Sequence, residues 1–517
     1  MLTKQKIKEL LSQNITDLKP NEIPHFEELK NIQIATDRIV KAIQNNEKII
    51  VVGDYDVDGV TASTIMNQFF NKINYPIEII IPDRFKDGYG LTPKLMDNIE
   101  CDVLITVDNG ISSYEASEIC KQRGIDLIIT DHHTPTYPLP NAFCIIDPKQ
   151  KDETFPFPEI CGAEVAWYLC ASLNKSLNTN IDMREFLDIL VLAIIADVMP
   201  LNHINRILVK MGLARLAKSN KPFAVILREA LNKTYFNSED IAFSIAPRLN
   251  SAGRMKHANI AFNFLNSTSL EEARKYYAIL NDTNDERKEI EKNITKLCIE
   301  KNQNENFIIA VGDFHEGVVG IVASRLVHHY KLPAIVFSDN GEILKGSGRS
   351  LGDVNLYELI DKCREYTIGF GGHKLACGLS IAKKDLEKFT KKINEETKKL
   401  PKEYFYLDEF ILGELPLSEC DFELLEILES FEPYGEGNPK PKFVSQVKIE
   451  NIRNLKDNHY KLIVSQNGVY KDAIVFRYDG EFYDECDIIY TVNKNEFNSN
   501  VNIQLMIDKI LQKNSFL

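Results

Sequence analysis

The sequence predicts an α/β protein of several units: a mainly parallel sheet covered by helices, one long connecting helix, a second α/β unit and a small C-terminal β-barrel. Three observations carry this. Apolar runs at 48–52, 77–81, 103–107, 127–130 and 143–146 alternate with helical segments, as parallel strands joined by crossover helices do. Ala273, Tyr277, Leu280, Ile290, Ile294 and Leu297 recur at roughly helical spacing through a stretch without Pro or Gly, which reads as a single long helix. Beyond PYGEGNPKP, short alternating runs such as FVSQVKIENIRNL, YKLIVSQNGVYKDAIVFRY and CDIIYTVNKN are spaced like the strands of a small barrel.

In chain order, residues 1–40 read as an N-terminal helical cap and 41–268 as a catalytic unit that becomes mostly helical after Phe186. Residues 269–303 form the connecting helix, 304–400 the second α/β unit starting at NFIIAVG, and 401–517 the barrel unit. At 517 residues the chain is too long for one core, and 44% hydrophobic with 26% charged residues is ordinary globular content, so disorder is not expected. The N-terminus has no apolar signal region and no eighteen-residue apolar stretch occurs, which argues against secretion and membrane spanning. The ten cysteines contain no C-x-x-C pair, as expected of reduced thiols in a cytosolic protein and not of a thiolate zinc site. Trp167 is expected in the core.

Chemistry concentrates just past the apolar runs: Asp54, Asp56 and Asp58 after KIIVV, Asp108 after VLITV, Asp131, His132 and His133 after LIIT, and Asp197 closing LDILVLAIIA. Residues beyond the carboxyl ends of neighbouring parallel strands converge on one crevice. Carboxylates with imidazole and no thiolate suit Mg²⁺ or Mn²⁺, and a pair of such ions performs phosphoryl chemistry. In GDYDVDG, period-2 geometry puts Asp54 and Asp56 on one side of the chain. An EF-hand would need a preceding helix and a Glu at its twelfth position, where this chain has KIIVV and Ile65.

GDYDVDG, TVDNGIS, TDHH and AIIADVMPL, in this order, resemble the four motifs of the DHH phosphoesterase superfamily. PRLNSAGRM, FHEGVVGIVASRL, GSGRS, GFGGHKLACGLS and PYGEGNPKP extend the resemblance to its RecJ branch of single-strand-specific DNA exonucleases. The resemblance implies a DHH unit, a DHHA1-type second unit and an OB-fold-like barrel. It also implies 5′ to 3′ hydrolysis of single-stranded DNA with two Mn²⁺ or Mg²⁺ ions, in repair and recombination. Asp54, Asp56, Asp108, His132 and Asp197 are the expected metal ligands, with Asp108 as the bridge. Asp131 is expected to orient an imidazole, Asp58 to brace the first loop, and His133 to polarise the scissile phosphate or complete a metal shell.

Expected substrate contacts are Arg248, Asn250 and Arg254, on what reads as a loop, together with Ser347, Arg349, Gly371, Gly372 and His373. Arg84 serves equally well for DNA or for an interface acid, and His315 reads as a brace. Expected partners are single-stranded DNA, a single-strand-binding protein and a helicase, for a cytoplasmic monomer. From Arg206 to Lys256 ten Lys or Arg face three Asp or Glu, which suggests a basic surface for a polyanion beside the metal site despite the overall charge of −14. From Phe405 to Lys440 ten acids face one lysine.

Two positions depart from the branch pattern. Val52 stands where some members carry a histidine ligand, and Glu164 stands where a small residue is expected in CGAEVA. The chain also leaves no room for the further C-terminal domain of longer relatives. Two other readings remain. A superfamily phosphodiesterase acting on short oligonucleotides, cyclic dinucleotides or pyrophosphate would lack the segment 401–517, and a non-catalytic replication scaffold would have lost the metal ligands that are intact here.

Overall fold

The computed structural model describes residues 1–13, 19–301, 306–406, 410–456, 458–497 and 500–513. Strands β1 (Ile49–Val52), β2 (Glu78–Ile80), β3 (Val103–Val107), β4 (Asp126–Thr130) and β5 (Cys144–Ile146) form a wholly parallel sheet in the order β2-β1-β3-β4-β5. Both faces are buried, and the alternation is clean. Ile49, Val51, Ile105 and Ile128 face the core under the helices Val57–Lys72 and Gly162–Leu177, while Ile50, Val52, Leu104, Leu127 and Ile129 face a second core with Leu95, Met96 and Cys120. The strand order reverses between β1 and β3. That is the point at which open parallel sheets bind ligands.

The helix Leu187–Ala196 is apolar apart from Asp188 and buried through to Ile195, so its C-terminal end is held in the first core. The connecting helix Leu270–Lys301 packs Ala273 and Leu280 into that core and Ile294 and Cys298 into the next. The second sheet comprises β6 (Ile308–Gly312), β7 (Ala334–Asn340), β8 (Ile343–Arg349), β9 (Gly369–Gly372) and β10 (Ala376–Ala382), ordered β6-β7-β8-β10-β9. Only β6 and β7 are parallel.

The C-terminal unit opens with β11 (Ile411–Glu414) and closes five strands into a barrel: β12 (Lys442–Lys456), β13 (His459–Gln466), β14 (Val469–Val475), β15 (Glu485–Phe497) and β16 (Asn500–Gln512). The circuit runs β12-β13-β14-β16-β15 and back to β12, with the β14–β16 pair parallel and the other pairs antiparallel. This is OB-fold topology.

Three expectations change. The first forty residues are not one cap. Ile7 and Leu11 of the helix Lys4–Gln13, four residues apart and so on one face, insert into the barrel core, and Lys4 lies 2.5 Å from Asp421 and 2.6 Å from Glu423. The helix Ile32–Asn45 instead buries Ile32, Ala35, Ile39 and Ala42 in the catalytic core. PRLNSAGRM is a helix, Ala246–Met255, that continues without a break from the π-turn Ile241–Ile245, and Pro247, which lacks an N–H, stands just past that turn. The basic stretch does not form one DNA-facing surface. Lys221 pairs with Asp188, Lys233 pairs with Asp240, Arg228 donates to the Leu216 and Ser219 carbonyls, and Arg206 is buried.

Trp167 is half-buried against the first core and donates to the Met183 carbonyl. All ten cysteines are free thiols. Among the described residues no helix is long and apolar enough to cross a membrane.

Candidate metal centre and anion pocket

The GDYDVDG loop leaves β1 and turns at once into the helix Val57–Lys72. Asp56 caps that helix, accepting from the backbone N–H of Asp58 at 2.9 Å and Gly59 at 3.1 Å. A Cβ at Gly59 would lie 2.5 Å from the Asp54 backbone nitrogen, so only glycine lets the helix start this close to Asp54. Asp108, at the end of β3, holds a left-handed backbone (φ +61°) that Asp tolerates better than most residues. A Cβ at Gly162 would come 2.5 Å from the Cβ of Asp108, so the helix Gly162–Leu177 begins directly against that aspartate.

Asp58 fastens this helix start. Its two oxygens accept from Gly162 N at 2.7 Å and Ala163 N at 2.8 Å, a carboxylate on the positive end of a helix. Glu164 accepts from Cys161 N at 2.8 Å and closes a capping box, which explains an acid at that position of CGAEVA. Burial pushes its carboxyl up to about 8.

The carboxylates and imidazoles converge. Asp54, Asp56 and Asp108 form one set whose donor atoms lie within 4.8 Å of one another, and Asp108, His132 and His133 form another. Asp58, His132 and Asp197 make a third. His132 Nε2 stands 3.2 Å from Asp108 Oδ1 and 3.7 Å from Asp197 Oδ2. Asp54 Oδ1, Asp108 Oδ1 and Asp197 Oδ2 are buried and make no hydrogen bond, a deficit that a bound cation would offset. Burial and the neighbouring acids push the carboxyls of Asp54 and Asp108 well up, raise Asp56, and bring Asp197 up to about 9. Burial also pushes His132 down, toward the neutral form that binds metals. The donor set is hard oxygen with imidazole, which fits Mn²⁺ or Mg²⁺.

Asp131 orients His133 and not His132. Its Oδ1 lies 2.7 Å from His133 Nδ1 and accepts the backbone N–H groups of His132 and His133, while Oδ2 accepts from Ile111 N. Burial works against the Asp131 charge, but the bond to His133 and the two imidazoles hold its carboxyl below the usual range. For His133 burial is likewise outweighed, by Asp131 and the surrounding acids, and its imidazole rises to about 9. Its Nε2 is turned toward the Tyr89 hydroxyl, 3.5 Å away.

Beside the acids lies an arginine cluster drawn from three segments. Arg84 sits over the Tyr55 ring at 5.3 Å, Arg254 is half-buried and donates to the Gly317 carbonyl at 3.5 Å, and Arg349 at the end of β8 donates to Ser347 Oγ at 3.1 Å and the Gly348 carbonyl at 2.8 Å. Burial, then the charges of Arg84 and Arg349, push Arg254 down to about 10. Among the described residues none of the three is salt-bridged to an acid, so the group is a cationic pocket suited to an anion.

The remaining expected contacts are placed as follows. Gly371 is exposed with open space where a side chain would stand, Gly372 turns the chain at φ +141°, and His373 follows in the β9–β10 turn. Partial burial, then the charges of His133 and Lys149, lower His373. Asn250 accepts from Val57 N at 3.1 Å and so supports the metal loop, while Arg248 is engaged with Asn281 and the Ser244 carbonyl. His315 accepts from Gly317 N and meets the Phe85 ring edge-on. Tyr89 is 49% exposed on a loop whose glycines at 88 and 90 have positive φ.

Three family models match: the DHH family N-terminal domain over residues 48–194, the DHHA1 domain over 304–399 and the RecJ OB domain over 411–509. The single-stranded-DNA-specific exonuclease RecJ of Haemophilus influenzae is 32% identical over 545 aligned positions, covering 98% of this chain and 94% of that protein. The chain belongs to the RecJ family. The RecJ of Escherichia coli is 32% identical across 94% of this chain and 91% of its own length. The Bacillus subtilis RecJ is 33% identical, but this chain spans only 63% of it. The crystal structure of Thermus thermophilus RecJ in complex with Mn²⁺ superposes with TM-score 0.81 at 26% identity, covering 94% of this chain and 72% of that one. A manganese-bound exonuclease RecJ matches at TM-score 0.63 and 29% identity, covering 72% of this chain and 96% of that one.

Proposed function

We propose that this chain, a metal-dependent exonuclease of the RecJ family, removes nucleotides from single-stranded DNA in the 5′ to 3′ direction. One observation carries the reading beyond family membership: an acid cluster with unsatisfied buried oxygens stands beside a pocket of three arginines that, among the described residues, pair with no acid. A polymer end with a terminal phosphate in the arginines brings its next phosphodiester to the acids. Cleavage at that distance from the end releases mononucleotides.

Asp54, Asp56, Asp108, His132 and Asp197 would hold two Mn²⁺ or Mg²⁺ ions, and Asp108, shared by two of the donor sets, is placed to bridge. Bound ions would supply a water of lowered pKa and neutralise charge on the attacking and leaving oxygens. The chain's own groups do the rest. Arg84, Arg254 and Arg349 fix the terminal phosphate, with Ser347 beside Arg349. His133, oriented by Asp131, contacts a phosphate oxygen, and Asp58 and Asn250 hold the acid loop in register. The OB-type barrel supports a single-stranded substrate, since this fold stacks and tracks unpaired bases. It also disfavours short-oligonucleotide and cyclic-dinucleotide readings.

The same reading places the protein in the cytoplasm, where ten free thiols stay reduced, as a monomer with both clusters in one chain. It acts with a helicase that opens duplexes and a single-strand-binding protein that covers the strands. Digestion of 5′- and 3′-labelled single-stranded and duplex DNA in Mn²⁺, Mg²⁺ or EDTA tests it. The expected result is mononucleotide release from the 5′ end of single strands only, abolished by EDTA; release from the 3′ end, or equal digestion of duplex, contradicts it.

A further inference from the structure

Two apolar residues, Val198 and Phe243, stand exposed where the backbone departs from regular helix, and both line the same cavity. The helix Leu187–Ala196 ends in a Schellman turn, with Val198 N donating to the Ile195 carbonyl at 3.2 Å and Met199 N to Ile194 at 3.1 Å. The left-handed position of such a turn belongs to glycine, yet it is held here by Val198 at φ +56°, a β-branched residue for which this conformation is strained. Its side chain is 62% exposed, so no packing offsets the strain. Phe243 sits in the π-helical turn Ile241–Ile245, whose ends are buried while the phenyl ring is 78% exposed. Single π-turns are rare and recur at functional sites.

The shared cavity measures about 560 Å³. It starts beside Asp197, is walled on its polar side by Asn250, Arg254, Arg287 and the Lys440–Glu239 ion pair, and ends at Tyr434–Glu436, a few residues before the barrel strand β12. The far wall is fixed: Leu201 N donates to Glu436 O at 2.6 Å and Ser238 Oγ to Tyr434 O at 2.5 Å. The groove therefore joins the metal centre to the barrel, with apolar side chains opposite a guanidinium. Unpaired nucleic acid requires this combination, because bases stack on apolar surface while phosphates seek cations.

Resting on the exonuclease reading above, we infer that Val198 and Phe243 form a base-contacting platform for the nucleotides just 3′ of the cleaved bond. They are positioning residues. Val198 meets the base side of the strand next to Asp197, Phe243 stacks on a following base, and together they hold the leaving strand in line with the metal ligands.

The test uses the full chain in saturating Mn²⁺ and 5′-phosphorylated single strands, either intact or carrying one abasic residue at the second, third or fourth nucleotide. Val198→Gly relieves the left-handed strain, so its Tm should equal or exceed that of the wild type while KM for intact strands rises about tenfold, the scale of one lost base contact. Phe243→Ala should leave Tm unchanged and raise KM similarly, and Phe243→Tyr should restore it. On the strand whose missing base is the platform's partner, the wild type should show the same loss and the variants should add little to it. Unchanged KM in both Val198→Gly and Phe243→Ala overturns the inference. So does a variant loss that persists in full on every abasic strand, which would assign the groove to some other occupant such as a protein segment. Should the wild type fail to cleave any single strand, the exonuclease reading falls with it, a result no variant is needed to recognise.

Discussion

The acid cluster and the arginine cluster are neighbours with opposite charge and opposite construction. The acids are delivered by strand ends of one sheet, at its switch point, with Asp197 brought in by a buried helix. The arginines come from the loop after β2, from a helix of the first unit and from a strand of the second. One cluster is a property of a single unit and the other exists only when two units are docked. The chemistry should therefore fail locally when an acid is changed, whereas handling of the strand end should respond to anything that shifts the second unit.

The largest expected effect lies in the acids. Asp108→Asn removes the carboxylate shared by two donor sets, and turnover in Mn²⁺ should fall by at least on the order of 10²–10³ while single-strand binding persists. Gel-shift and single-turnover assays on the same preparation check this, and substantial residual turnover would remove Asp108 from the bridging position. Next is Arg349→Ala, which deletes one charge-assisted fork worth about 1.5–3 kcal/mol. Use of 5′-phosphorylated ends should drop roughly ten- to hundredfold by the same principle, with the Mn²⁺-induced rise in Tm unaltered. Equal loss of metal response would mean that the two clusters are not separable.

A third test sharpens the electrostatic contrast. A carboxyl whose folded pKa is raised stabilises the fold below its unfolded pKa and loses that contribution as pH rises through the folded value. For Asp197 that window runs from the ordinary aspartate range up to about 9, and Asp54, Asp56 and Asp108 are shifted in the same direction. In EDTA, Tm should fall between pH 6 and pH 9, and saturating Mn²⁺ should raise Tm more at pH 8 than at pH 6. A metal-induced shift independent of pH would contradict the crowded, proton-loaded site. The smallest effect is expected at Glu164. Its acid, raised to about 8, is mainly protonated at pH 7, so Glu164→Gln should stay within about 1 kcal/mol of the wild type, whereas Glu164→Ala loses the cap and costs about 1 kcal/mol or more. Urea melts distinguish the two.

The same contrast explains what the sequence made legible. Asp54, Asp108 and the 131–133 triplet each follow a buried β-run, so apolar periodicity points to them and strand geometry brings them together. The barrel strands were equally readable from their alternation. What sequence spacing could not express was tertiary partnership. The cations from Arg206 to Lys256 looked like a surface, but folding commits several of them to Asp188, Asp240 and backbone carbonyls. The lysine-rich N-terminal helix carried no sign that Ile7 and Leu11 would complete a barrel whose first strand lies more than four hundred residues later. Arg84 could not be separated from an interface residue until the structure showed it beside Arg254 and without an acidic partner among the described residues. Glu164 made no sense beside its helix until its bond to Cys161 N was visible.

The central claim is that the two clusters are one site, in which arginines hold the strand end so that the acids cut beside it. Its most direct test compares 5′-phosphorylated with 5′-hydroxyl single strands of the same sequence, digested in Mn²⁺ by the wild type and by Arg349→Ala. The account predicts that the wild type prefers the phosphorylated end by about tenfold or more, the value of one charge-assisted anion contact, and that Arg349→Ala largely erases the preference by losing activity only on the phosphorylated strand. An equal preference in both proteins, or none in the wild type, would contradict it.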